Sequence, residues 1–425
     1  MARGAASAGS MRQGVVGLFL LFGALYFIQG VNETTTGLVY QPVNSKLKEW
    51  RPSNSDSDSD SEITTFMALL AVPWCLKPLF GLLSDFVPLC GMRRKSYLIG
   101  TGVVTTLAYL GLAYYWPPAR DSRWLLLAGL LLPTLAVTFA DVVLDALIIE
   151  AGQLRGITER LQSVRWGASN VATIATGALA GVLTGWHMRQ SAFLVCGLLA
   201  VAGLILSATC VREPPPLLIH EDFKTVKQTL RKALHSRKLL TVGAFLFAWH
   251  LNPCTSPLIY LHMTKTLKFS EQFYGLSNTL LSCGAALACA IYSFYCRRLS
   301  MRMMVPGAIA CGIVSTLVYF LMTNEASAAV ISVVVGLTYM TANMIQCDLA
   351  ARVCPAHAAG TIFAVFMALC NIGTAISMWL GGHLYELVKR HGDPNDAFQA
   401  TMIVGAALTL GSWSVARLIP RDETR

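Results

Sequence analysis

The sequence predicts an all-α integral membrane protein of twelve transmembrane helices, arranged as two six-helix halves. Three observations carry that prediction. Apolar residues make up 54% of the 425 residues and charged residues only 13%, about half the charged share of an ordinary soluble chain. The charges are bunched, and the apolar runs between them are about 20 residues long, enough to cross roughly 30 Å of hydrocarbon. The longest charged connection, residues 212–238, divides those runs six and six.

The runs fall at 14–40, 63–84, 97–116, 124–149, 166–186, 192–211, 239–262, 273–296, 304–323, 328–348, 359–384 and 399–419. The first follows Arg3 and Arg12 as a signal peptide would, but it is too long for an h-region and Tyr26, Gln29 and Glu33 interrupt it, so it reads as a retained span. With both termini in the cytoplasm, 22 basic residues fall on the inner side and 10 in outer loops. Basic residues favour the cytoplasmic side, which makes this topology the expected one. The net charge of +10 is then a topology signal rather than a nucleic-acid footprint.

The predicted organisation is an N-terminal half over 1–211, a cytoplasmic linker over 212–238 and a C-terminal half over 239–425. The linker opens with Pro214-Pro215-Pro216, then places Phe223, Val226, Leu230 and Leu234 at helical spacing among basic residues. That is the pattern of an amphipathic helix lying on anionic membrane lipids. The outer loop 41–62 carries alternating serines and aspartates from Ser55 to Ser61 and is expected to be solvated and disordered. The twelve cysteines fall within or beside spans, with no C-x-x-C and no ligand spacing. They read as packing residues, and nothing in the pattern calls for a metal or cofactor. A weak internal repeat pairs Ala140-Asp141 with Ala342-Asn343, and Asn170–Thr173 with Asn371–Thr374, at offsets of 202 and 201, as a parallel six-helix duplication would leave.

Ionisable residues inside a bilayer are functional candidates, because each costs about 2.5–3.5 kcal/mol to insert. Four stand out: Glu33, Lys77, Asp141 and Asp145. In the first span Tyr26, Gln29, Glu33 and Thr36 share a helical face, and in the fourth Thr134, Thr138, Asp141 and Asp145 share another. Two aspartates one turn apart repel when both are ionised, so a raised proton affinity or a cationic partner is expected. Lys77 and Arg165 are the candidate cations. Pro73 and Pro78 flank Lys77, and Asn252-Pro253 with Pro257 interrupts span seven beside His250; interrupted spans point to transporter binding sites. An enzyme would need a catalytic set, and there is no H-E-x-x-H and no nucleophile–base spacing, with His250, His262 and His383 scattered.

Between spans two and three, Gly81-Leu82-Leu83-Ser84-Asp85 is followed by Gly91-Met92-Arg93-Arg94. This resembles the signature loop of the major facilitator superfamily, which acts there as an inner-side latch, so Gly81, Asp85, Gly91, Arg93 and Arg94 are the expected latch residues. Two longer strings narrow the resemblance. Lys77-Pro78 through Ser84-Asp85, then Arg93-Arg94-Lys95-Ser96-Tyr97, and Asp141, Asp145 and Glu150 in span four, are similar to the folate–biopterin transporter family, specifically over about residues 60–166. The resemblance implies a secondary transporter of folates or pterins that works by alternating access. Its expected substrate-binding residues are Glu33, Gln29, Lys77, Asp141, Asp145 and Asn252, with Asp141, Asp145 and Glu33 as expected proton carriers. A transporter of another organic anion, such as acetyl-coenzyme A or a muropeptide, and a non-transporting receptor are the alternatives.

Overall fold

Apolar runs of this length fold as helices because, in hydrocarbon, every backbone N–H and C=O must find its partner within the segment. The computed structural model describes residues 2–34, 37–39, 43, 66, 69, 70, 72–119, 122–185, 189–211, 235–355 and 358–419. Among them the regular structure is helical: α1 (Ala2–Asn32), α2 (Lys77–Phe86), α3 (Lys95–Ala119), α4 (Arg123–Arg155), α5 (Thr158–Gly185), α6 (Arg189–Cys210), α7 (Arg237–His250), α8 (Ser256–Leu261), α9 (Glu271–Tyr295), α10 (Met301–Leu317), α11 (Glu325–Val353), α12 (Ala359–Lys389) and α13 (Pro394–Ala416). The Ser55–Ser61 tract, the linker stretch 212–234 and Thr36 lie outside the described residues.

Nine helices among the described residues are long and apolar enough to cross a membrane: α1, α3, α4, α6 and α9 to α13. The other three expected runs take different forms. Much of 63–71 lies outside the described residues, and α2 supplies the end of that run. The run 166–186 becomes α5, a 28-residue helix diluted by Ser169, Asn170 and Thr173. The run 239–262 breaks after His250, where Pro253 and Pro257 remove backbone donors, and resumes as the six-residue α8 with a π-helical turn over His262–Thr266.

Helix α1 also stops short of its run, at Asn32. Three consecutive threonines, weak helix formers, follow Glu33. The chain then folds back, with Gly37 N–H donating to the Glu33 carbonyl at 2.8 Å and Leu38 N–H to that of Val31 at 3.0 Å. A side chain at Gly37 would collide with both carbonyl oxygens.

The chain forms two compact units, Met1–Ile148 with Val164–Ile219, and Ile149–Ser163 with His220–Arg425. In the first, α6 packs against α1 and α3 around Tyr109, Leu126, Leu130 and Phe193. In the second, α11 packs on α9 and α10, and α13 on α7, α10 and α12. The turn from α4 to α5 is set by glycine. Gly156 takes φ +61°, the Ile157 N–H caps back to the Gly152 carbonyl at 3.0 Å, and a Cβ at Gly152 would meet Thr158 at 2.6 Å. This is a Schellman-type stop, and it lets α5 return directly alongside α4.

With no hydrophobic drive between helices in lipid, close approach rests on small residues. The α9–α11 crossing shows this reciprocally: a Cβ at Gly284 would strike the Val333 carbonyl, and one at Gly336 the Leu281 carbonyl. Gly336→Leu is therefore expected to destabilise the protein by about 1–3 kcal/mol through overpacking, while Gly307→Leu on α10, where a Cβ meets nothing within 4 Å, is expected to be nearly neutral. Thermal unfolding of the two purified variants in detergent checks the contrast.

Candidate functional site

Four charged side chains meet inside the first unit. Asp141 and Asp145 lie one turn apart on α4, with 5% and 3% of their surface exposed; Lys77 and Arg165 are each 6% exposed. Lys77 Nζ donates to Asp141 Oδ2 at 2.7 Å. Arg165 Nε sits 2.9 Å from Asp145 Oδ1, and its terminal nitrogen 3.6 Å from Asp141 Oδ1. Two polar side chains from α1 complete the set: Tyr26 Oη donates to Asp145 Oδ1 at 2.6 Å and Gln29 Nε2 to Asp141 Oδ1 at 2.7 Å. Two carboxylates face two cations, so the cluster is neutral when all four are ionised.

Local structure explains how each group arrives. The chain turns at Leu76, whose N–H reaches the Pro73 carbonyl at 3.0 Å, and α2 begins at Lys77 itself. Pro78 then occupies an early helical position where a missing N–H is harmless. A cation at a helix N-terminus opposes the helix dipole; Asp141 and the Trp74 ring, 4.4 Å from Nζ, hold it there. Arg165 lies opposite the aspartates because the Gly156 turn runs α5 back along α4. Its guanidinium is stacked near the rings of Tyr26 at 5.3 Å and Trp166 at 4.9 Å. The repulsion expected between the two aspartates is thus met by one guanidinium facing both.

The remaining sequence-predicted residues are placed elsewhere. Glu33 lies just past the end of α1 and is half-buried. Asn252 sits at the break of span seven, in the second unit. Its Nδ2 donates to Thr316 Oγ1 at 2.8 Å and Thr409 Oγ1 at 3.1 Å, and its Oδ1 accepts from Cys254 N–H at 2.9 Å. The amide thereby substitutes for the helix bonds lost around Pro253. Nearby, Ser377 Oγ donates to the His250 carbonyl at 2.7 Å, and the His250 ring nitrogen Nδ1 lies 2.8 Å from the Leu246 carbonyl.

The loop after α2 is compact. Cys90 and Gly91 both take left-handed conformations, φ +52° and +73°, as a tight reversal demands, and Leu89 and Met92 exchange two backbone bonds of 3.0 Å. The reversal returns Arg94 to Asp85, at 2.8 Å with both side chains fully buried, and Arg93 Nε to the Asp85 carbonyl at 3.2 Å. Gly81 is buried on α2 one turn before Asp85.

A second polar cluster, not anticipated from sequence, closes the end of α11. Asp348 has no exposed surface and receives Arg352 Nε at 3.2 Å and Tyr292 Oη at 3.2 Å. Arg352 also reaches Glu159 Oε1 at 2.7 Å, within the same unit. The signal was present: Asp348 follows Asp145 by 203 positions, close to the offset of the internal repeat.

The model of the BT1 family matches residues 59–425. The chain is 27% identical over 383 residues to a folate-biopterin transporter of Synechocystis sp., covering 84% of this chain and 74% of that protein. It is 24% identical over 482 residues to probable folate-biopterin transporter 4 of Arabidopsis thaliana, covering 94% of each. Among solved structures it resembles the proton:xylose symporter XylE bound to 6-bromo-6-deoxy-D-glucose, with TM-score 0.70, 15% identity and 96% of each chain covered. It also resembles the human organic anion transporter MFSD10, with TM-score 0.65 and 15% identity over 95% of this chain and 98% of that one. These likenesses show a major-facilitator fold.

Tyr26→Phe keeps the ring beside Arg165 and removes only the donor to Asp145. A hydrogen bond to a charged group is worth about 1.5–3 kcal/mol, so the variant is expected to unfold at lower denaturant or temperature than the wild type while Tyr114→Phe, on an exposed ring, does not.

Proposed function

The chain belongs to the BT1 family, and we propose that it moves folates or pterins across its membrane by alternating access, coupled to protons. Membership makes it a multi-pass membrane transporter and not an enzyme. The observation that carries the substrate reading is the buried Lys77–Asp141 pair. It offers a cation for a folate carboxylate and a carboxylate for the amino group and ring N–H of a pterin. Arg165 and Asp145 repeat the same chemistry one turn away.

In this reading Gln29, Lys77, Asp141 and Asp145 contact substrate. Glu33, just past what the charge distribution makes the outer end of α1, meets it on entry. Asn252 acts through the break in span seven that it fastens. Asp141 or Asp145, with Glu33 next, takes the proton on one side and releases it on the other. Gly81, Asp85, Gly91, Arg93 and Arg94 form the latch, in which the Asp85–Arg94 bond opens and closes with the transport cycle.

Uptake by purified protein in liposomes, under an inward proton gradient, tests the proposal with labelled folic acid, a reduced folate and biopterin, and with acetyl-coenzyme A and a muropeptide as competitors. Saturable uptake of a folate or biopterin is expected, with Lys77→Ala lowering folate uptake at least about tenfold, equivalent to roughly 1.4 kcal/mol of lost binding. Transport of a competitor with no flux of any folate or pterin would overturn the substrate assignment.

A further inference from the structure

The charge count of the cluster constrains what can bind to it. Lys77 and Arg165 balance Asp141 and Asp145, and all four side chains are at least nine-tenths buried. In so dry a site an uncompensated charge is strongly disfavoured. A carboxylate arriving at Lys77 makes three anions against two cations. One group must then gain a proton, and the geometry separates the two aspartates. When an anion takes Lys77, Asp145 keeps Arg165 Nε and Tyr26 Oη on its Oδ1, at 2.9 and 2.6 Å, whereas Asp141 loses the ammonium that faces its Oδ2. Asp141 divides its oxygens: Gln29 donates to Oδ1, while Lys77 donates to Oδ2 at 2.7 Å. A proton on Oδ2 therefore takes the place of the lysine there and leaves the Gln29 bond intact. The released ammonium, on a flexible four-carbon stem, is free to take the incoming anion.

We propose that proton coupling in this transporter is conditional on substrate charge: one proton enters on Asp141 for each substrate carboxylate seated at Lys77, and none accompanies a neutral pterin. The proposal rests on the substrate reading above and narrows its proton coupling to substrates that bring a carboxylate. A pterin without a carboxylate adds no charge, so the two cations and two carboxylates stay balanced with both aspartates ionised to accept its N–H donors, and no proton is called for. The groups facing Asp141 are Gln29 from α1, Lys77 from α2, Asp145 from its own helix and Arg165 from α5, with Tyr26 behind Asp145. Over a cycle the proton passes from the solution on the loading side to Asp141 Oδ2. It returns to the solution on the release side as the substrate leaves and Lys77 re-forms its pair with the deprotonated Oδ2.

The test uses the wild-type protein in liposomes with the membrane potential clamped and a pH dye trapped inside. Folic acid and biopterin are compared. Folate entry is expected to carry protons inward and to rise several-fold when the outside is acidified. Biopterin entry is expected to carry none and not to rise. Equal acceleration of both substrates, or of neither while both are transported, would overturn the proposal. Failure of both compounds to move at all would overturn the substrate reading itself, and this inference with it. In Asp141→Asn, folate exchange without proton movement is expected, since an amide stands permanently in the protonated form; proton-coupled folate entry in that variant would also contradict the assignment.

Discussion

Four buried charges at one level of the first unit must sum to zero, and much of the surrounding structure serves that requirement. Moving a carboxylate or ammonium out of water carries a desolvation penalty of several kcal/mol that only close, well-bonded partners offset. Asp141 and Asp145 project from one face of α4, and the bonds to their oxygens come from three other helices: α1 gives Tyr26 and Gln29, α2 gives Lys77, α5 gives Arg165. The backbone features nearby follow from this. The chain stops and restarts at Leu76 so that Lys77 opens α2, and the Gly152–Gly156 corner brings α5 back beside α4. A site built this way holds its cations ready for an anion, yet cannot accept one without a compensating change in charge.

The second unit solves a related problem with neutral groups. Span seven is broken by prolines; Asn252 Oδ1 takes up the Cys254 N–H and Ser377 the His250 carbonyl, while the hydroxyls of Thr316 and Thr409 hold the Asn252 amide in place. Glycines allow neighbouring helices to come up against the break: a Cβ at Gly381 would crowd the Pro253 carbonyl, and one at Gly405 the Asn252 side chain. At the end of α11 charge returns, in Asp348, Arg352 and Glu159 with Tyr292.

Hydropathy and charge made the membrane fold legible, because crossing hydrocarbon imposes length and composition on every span. The charged residues of the first unit were legible for the same reason: Lys77, Asp141 and Asp145 stand out where charge is rare. Their pairing was legible only as a choice between two cations, and the structure uses both, one for each aspartate, with Arg165 facing the pair. What sequence could not give depended on tertiary contacts. The end of α1 at Asn32 reflects a threonine run whose weak helix preference is decided by the fold-back at Gly37. Asn252 carried the same signal whether it was to bind substrate or mend a helix, and its three hydrogen bonds appear only in three dimensions. Asp348 is the last residue of the apolar run 328–348, and its complete burial is visible only once α11 is packed.

The central claim is that Lys77 and Asp141 act as one neutral unit, and a double-mutant cycle tests it most directly. Lys77→Met, Asp141→Asn and the double variant are compared by thermal unfolding in the absence of substrate. Each single change strands a buried charge and is expected to destabilise by about 3–5 kcal/mol, while the double variant, neutral again, is expected to recover much of that loss. Losses that simply add, as they do for independent sites, would contradict it.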